Sequence, residues 1–334
     1  MHLTTRLKVS KQMIRLARPF ELSASDLIYP IFVREDRRKF EVPSMKGQEY
    51  LSLNDAVNTC GKAIDCGIPA IMVFGIVKAK DADASVALKK DAFHTKIFRK
   101  LKTEFGEELV LISNVCLCDY TKDEFCVYTE KGKVLNEKTA EMLGKISVVH
   151  AEAGADVVAP AAMCDGQVRH MRQALNSAGF DEVAIMSYVK TDSCLFNPFK
   201  EAMTSSHAHQ NVDSSRFRTD IINGKMFMQK VELDISEGAD IIIVKPALTN
   251  LDLIMRVKQE YPTMPIAAYQ VSGEYAMINL LAEHAHIDAD TLLLETLNSI
   301  KRSGADMILT YHALKAASLV TPRAHGVRCP KIIH

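Results

Sequence analysis

The sequence predicts an α/β protein built as a closed (β/α)8 barrel with an N-terminal extension arm. Eight short apolar segments are spread along the 334 residues, helix-length stretches separate them, and the turn phrase Gly-Ala-Asp recurs three times just ahead of an apolar run. Eight βα units fill a chain of this length, as a closed barrel requires. A doubly wound open sheet is the alternative. Against it, the glycine fingerprint of a dinucleotide site is absent near the start, and no Pro-, Gly- or Ser-rich linker divides the chain.

Taken in order, residues 1–26 form the arm, 27–320 the barrel and 321–334 a C-terminal tail. The strand candidates are 27–33 (LIYPIFV), 70–76 (AIMVFGI), 109–113 (LVLIS), 155–159 (ADVVA), 183–188 (VAIMSY), 239–244 (ADIIIV), 266–271 (IAAYQV) and 305–311 (ADMILTY). Their apolar residues run continuously instead of alternating, which suits parallel strands covered by helices. Residues 139–153, 168–178, 249–260, 274–284 and 289–303 have helical length and spacing. The phrases Gly154-Ala155-Asp156, Gly238-Ala239-Asp240 and Gly304-Ala305-Asp306 read as repeated αβ turns. Glycine ends the helix in a left-handed conformation, Ala allows close passage, and Asp bonds the turn backbone.

With 48% hydrophobic residues the chain can bury a large core, and 41 Lys plus Arg balance 41 Asp plus Glu. A nucleic-acid partner is disfavoured, since that role needs a concentrated positive field. Arg6, Lys8, Lys11, Arg15 and Arg18 crowd the start without the apolar run of a signal peptide. An organellar presequence competes with a structural arm there; Glu21, Asp26 and the strand-like run that follows favour the arm. Nowhere do about 18 apolar residues run together, so no membrane span is expected. Eight cysteines in a chain this long need no disulfide framework, and a reduced, cytoplasmic setting is expected.

In a barrel the site lies beyond the C-terminal ends of the strands. Those positions hold Cys116 and Cys118, Pro160, Lys190, Lys245, Ser272 and Tyr311. Lys245 ends IIIVKPA ahead of Pro246, which is expected in the first turn of the next helix. An amine at the end of a buried strand loses solvation as an ammonium, so its neutral form becomes available to attack a carbonyl and form a Schiff base. A solvent-facing or carboxylate-paired lysine fits the same pattern; a second strand-end lysine, Lys190, favours the reactive reading. Cys116, Cys118 and Cys126 form a C-x-C-x7-C group beside Asp119, Asp123 and Glu124. Three thiolates suit Zn2+ with an open position, whereas unrelated thiols or redox chemistry are the alternatives; Cys164 is a candidate fourth ligand. Ser272 and Tyr311 offer hydroxyls to a carboxylate, or serve as a helix cap and a packed rim residue.

The ordered blocks LIYPIFV, NVCLCDYT, GADVVAP, MCDG, SYVKTDSCLFNPF, GADIIIVKP, YQVSGEYAM and GADMILTY resemble the porphobilinogen synthase (5-aminolevulinate dehydratase) family over residues 20–320. The resemblance implies a TIM barrel whose arm serves assembly into a homo-oligomer, an octamer in the family. It also implies condensation of two molecules of 5-aminolevulinate to porphobilinogen, a lyase reaction of tetrapyrrole and heme biosynthesis. Lys245 matches the principal Schiff-base lysine and Lys190 the second active-site lysine. Cys116, Cys118 and Cys126 match the zinc ligands, and Ser272 and Tyr311 the residues holding the carboxylate of the first substrate.

Several positions depart from the family pattern. Asn114 stands where Asp precedes V-C-x-C, and Ala161-Ala162 replace the Ser-Asp of P-S-D-M. Lys200 replaces Arg in the G-P-F-R block, retaining charge without bidentate geometry. The D-R-[RK]-x-Y-Q block reads Asp213-Ser214-Ser215-Arg216-Phe217-Arg218, where Arg216 or Arg218 is expected to compensate. One residue is missing between Tyr188 and Lys190, and Ala247 replaces the Gly of V-K-P-G. The changes gather on the second-substrate side. They leave as competing expectations a weakly active or non-catalytic 5-aminolevulinate-binding homologue, acting as a sensor or assembly subunit, or a related carbonyl-condensing lyase.

Overall fold

All eight apolar segments form strands: β1 (Leu27–Arg34), β2 (Ala70–Ile76), β3 (Val110–Val115), β4 (Val157–Pro160), β5 (Ala184–Lys190), β6 (Ile241–Lys245), β7 (Ile266–Gln270) and β8 (Met307–Thr310). The computed structural model describes residues 3–36, 40–203 and 217–320, so the expected C-terminal tail, 321–334, lies outside the described residues. Neighbouring strands pair in parallel, and β8 returns to β1 with Leu27 opposite Ile308 and Ile28 opposite Leu309. Closure leaves no exposed edge in the barrel. Phe40–Glu41 and Glu49–Leu51 add a small antiparallel pair beside β1.

The expected helices lie at Asn136–Glu152, Gln167–Ser177, Leu251–Glu260, Ser272–His284 and Ala289–Arg302. Leu53–Asp65, Phe93–Phe105 and Gly224–Ser236 supply three more, in units where only the strands were legible. Pro246 is not in a helical first turn: a short turn, Leu248–Asn250, intervenes before the helix starts at Leu251.

Strand alternation sorts the core into two layers. Leu27, Ile31 and Val33 face the helices while Ile28 and Phe32 face the barrel interior; Ile71 and Val73 alternate with Met72 and Phe74 in the same way. Because successive side chains point to opposite faces, the interior phase of β6 runs through Ile243 to Lys245 and that of β5 through Tyr188 to Lys190. The same parity in β3 runs from Ile112 to Asn114 and on to Cys116.

The Gly-Ala-Asp turns share one construction. Gly154, Gly238 and Gly304 have φ of 103°, 101° and 110°, which side-chain-bearing residues rarely adopt. Each Asp reaches the preceding strand instead of its own turn: Asp156 accepts from Leu111 N at 2.9 Å, Asp240 from Ile185 N at 2.8 Å and Asp306 from Ile266 N at 2.8 Å. Each also takes a basic side chain, Lys102 at 2.6 Å, Arg172 at 2.8 Å and Lys258 at 2.9 Å respectively. The phrase thus ties a helix to two adjacent strands at the end of the barrel opposite the strand-end residues.

Ahead of β1, Ser10 caps the helix Lys11–Leu16, none of whose residues is buried, and Leu7, Val9, Ile14 and Leu16 are exposed. Among the described residues no helix is long and apolar enough to cross a membrane. Among the described residues six cysteines, including Cys116, Cys118 and Cys126, are free thiols, while Cys66 is disulfide-bonded although a chain this long needs no disulfide framework.

Candidate active site

The last inward residues of β5 and β6 are register partners, so Lys190 and Lys245 stand side by side at the barrel mouth. The Lys245 amine is ringed by aromatic faces, 4.8 Å from the Tyr269 centroid, 4.9 Å from Phe196, 5.1 Å from Phe199 and 5.3 Å from Tyr188. Burial among these rings, reinforced by the charges of Lys190 and Arg218, lowers Lys245 from 10.5 to about 7. Lys190, 6% exposed, donates to the Ala161 carbonyl at 2.6 Å. The residue missing after Tyr188 therefore leaves the lysine on the strand and in the same enclosure.

The cysteine group is assembled by a short turn. Cys116 follows β3, Leu117–Asp119 turns the chain, and the loop brings Cys126 back, so the three sulfurs lie within 4.8 Å of one another and those of Cys116 and Cys118 at 3.0 Å. Tetrahedral zinc–thiolate geometry places sulfurs about 3.8 Å apart, so small adjustments suffice to hold such an ion. Hydrogen bonds from Cys116 and Cys118, with Lys190 and Arg218 nearby, hold the Cys126 thiol well below its usual range, while hydrogen bonding to its neighbours and burial push Cys118 up. Cys164 is buried, with its thiol pushed up to about 12 by burial, but it does not join the cluster.

Lys80 fastens this loop from outside, donating to Glu124 at 2.9 Å and to the Cys118 carbonyl at 3.1 Å. Glu124 has φ of 56°, a left-handed conformation held here by that buried ion pair. Asn114 donates to Asp119 at 3.0 Å, and burial pushes Asp119 up to about 7 against the opposing pull of Lys80 and Asn114.

A cavity of about 150 Å³ joins these groups; its walls include Lys190, Lys245, Lys200, Arg218 and the three cysteines. Lys200 comes from the helix Asn197–Met203, and burial, then Arg218, lowers its pKa. Arg218 pairs with Asp192 at 2.7 Å, while its Nε is buried without a hydrogen-bond partner among the described residues. Arg216, expected beside it, lies outside the described residues, as do Ser214 and Ser215.

Ser272 and Tyr311 are not brought into the cavity lining. Ser272 Oγ donates to Leu195 O at 3.2 Å and accepts from Phe199 N at 2.9 Å, and Tyr311 exchanges a hydrogen bond with Tyr269 at 2.8 Å. They brace the 194–203 segment and the aromatic ring that enclose Lys245. Gly273 permits that contact: a Cβ there would meet the Leu195 backbone at 2.6 Å. The sequence placed Tyr188 and Tyr269 only on strand candidates, and the inward face they occupy emerges with the barrel; Phe196 and Phe199 come from a segment with no strand pattern.

Two enclosed lysines beside a three-thiol cluster, on a closed parallel barrel, match known proteins over nearly the whole chain. The family model for delta-aminolevulinic acid dehydratase covers residues 2–319. The chain belongs to the delta-aminolevulinic acid dehydratase family. Relatives bearing that name include one from Synechococcus elongatus, 42% identical over 95% of this chain and 98% of its own, and one from Methanothermus sociabilis, 42% identical over 92% and 95%. The delta-aminolevulinic acid dehydratase of Toxoplasma gondii, solved with its reaction product porphobilinogen, superposes with a TM-score of 0.91 at 33% identity, covering 96% of this chain and 91% of that one.

Against the dehydratase pattern, two departures are accommodated locally. Ala247 has φ of −80°, so the glycine of V-K-P-G is not needed for backbone freedom. At the Ser-Asp position, Ala162 is fully buried and the Ala161 carbonyl receives Lys190, so backbone supplies the contact that remains.

Proposed function

We propose that this chain is a porphobilinogen synthase, joining two 5-aminolevulinate molecules into porphobilinogen with loss of two waters. The observation that carries this reading is the Lys245 amine, shifted to about 7 in an aromatic enclosure beside Lys190. At neutral pH much of it is unprotonated and nucleophilic, so it attacks a substrate ketone and releases water as the imine forms. Protonated, that imine withdraws electrons and eases proton loss from the adjacent carbon. Lys190 beside it lowers the proton affinity of that amine.

Cys116, Cys118 and Cys126 would hold Zn2+, because soft thiolates favour it over magnesium. When bound, that ion supplies Lewis acidity to the second substrate. Lys200 and Arg218 present positive charge to a substrate carboxylate, and Arg218 Nε, without a partner among the described residues, is a donor for it. For Ser272 and Tyr311 to hold the carboxylate of the Lys245-bound substrate, their hydroxyls exchange the Leu195 carbonyl and the Tyr269 hydroxyl for it. The exposed apolar residues of the arm support a homo-oligomer. Incubation with 5-aminolevulinate, with and without zinc, followed by mass identification of the product tests the reading; a folded, zinc-loaded protein that forms no porphobilinogen refutes it.

A further inference from the structure

The cavity carries two lining carboxylates, Asp119 and Glu124, among four basic side chains, Lys190, Lys200, Arg218 and Lys245. Glu124 is committed to Lys80. Asp119 is differently held: Oδ2 accepts from the neutral Asn114 amide at 3.0 Å, and Oδ1 stands 3.7 Å from Cys118 Sγ. Asp119 and Asn114 are only 3% and 4% exposed. An amide donor fixes the direction of a carboxylate without cancelling its charge. Asp119 therefore offers an oriented carboxylate in an enclosure otherwise lined by basic side chains.

We propose that Asp119 receives the ammonium group of the second 5-aminolevulinate. The inference rests on the porphobilinogen synthase reading and deepens it. That substrate carries an ammonium, a ketone and a carboxylate. Lys200 and Arg218 suit the carboxylate, but an ammonium entering among basic side chains is costly unless a carboxylate meets it. Asp119 meets it on the Cys118 side of the cavity, and Asn114 is the positioning residue that aims it.

Two variants test this: D119N and N114D/D119N. The second keeps the amide–carboxylate pair with its polarity reversed, returning a carboxylate to the cavity. For D119N, loss of orientation of one reactant should lower kcat/KM for porphobilinogen by about 10²-fold, chiefly through KM. Borohydride trapping of the first substrate on Lys245 and the zinc stoichiometry should stay unchanged. The swapped pair should recover most of the loss.

Undiminished condensation by D119N overturns the proposal, as does a swapped pair no better than D119N. Loss of zinc together with activity in D119N overturns it in favour of a fourth metal ligand. If D119N fails to fold, the swapped protein is read directly against wild type, and activity near about one-hundredth refutes the role. A wild-type chain that traps substrate but makes no porphobilinogen refutes the underlying reaction and this inference with it. Normal condensation in wild type and D119N alike refutes the role of Asp119 alone.

Discussion

Replacing Lys245 by Met removes the amine but keeps an unbranched apolar side chain among the four rings, and its effect follows from the displaced ionisation. The difference between 10.5 and about 7 corresponds to about 5 kcal/mol held against the protonated form. Below pH 7 the lysine is protonated in both folded and unfolded chains, and the folded state carries this whole cost. Between pH 7 and 10.5 the unfolded chain binds the extra proton, so wild-type stability rises with pH through that window. K245M should therefore be more stable than wild type by several kcal/mol below pH 7, an advantage that shrinks toward pH 10.5.

Chemical denaturation of both proteins from pH 6 to 10 measures this. In parallel, the rate of borohydride-trapped adduct formation with 5-aminolevulinate should rise through a midpoint near 7, where about half the amine is neutral, against about one part in 3,000 for an ordinary lysine. Lys190→Gln removes a neighbouring positive charge and should move that midpoint upward. A stability difference independent of pH, a trapping midpoint near that of a free lysine, or an adduct on another residue would refute the argument.

Zinc titration under anaerobic conditions should give one ion per chain, lost in the Cys116→Ser, Cys118→Ser, Cys126→Ser triple variant; equal affinity in that variant rejects the site. Deleting residues 1–26 should lower the sedimentation mass while leaving barrel secondary structure intact, because the helix Lys11–Leu16 buries none of its residues in the chain itself; an unchanged mass argues against a role in assembly. Gly304→Ala should destabilise by about 1–3 kcal/mol, since φ is 110° and the new Cβ would lie 2.9 Å from Lys258 Cβ; a neutral effect in thermal unfolding would show that the turn relaxes.

The barrel was legible because its code is local. Continuous apolar runs such as IIIV ahead of Lys245 specify strands covered on both sides, and Gly-Ala-Asp marks the turns that deliver them. The ends of the apolar runs also placed Lys245, Lys190 and Cys116 at one mouth of a barrel, whereas their inward phase was decided by barrel closure. Sequence could not assign the destination of the Asp side chains, which bond across to the previous strand, because that contact exists only once β3, β5 and β7 lie beside their neighbours. Nor could it separate Lys200 and Arg218, which reach the cavity, from Ser272 and Tyr311, which brace its wall. The aromatic enclosure of Lys245, and the pairing of Asp119 with Asn114 instead of a cation, depend on barrel closure and the fold of the 194–203 and 116–126 segments. A residue's type and its position along a run are properties of the chain, whereas desolvation and charge pairing depend on what other segments bring within a few ångströms, and only the tertiary structure decides that.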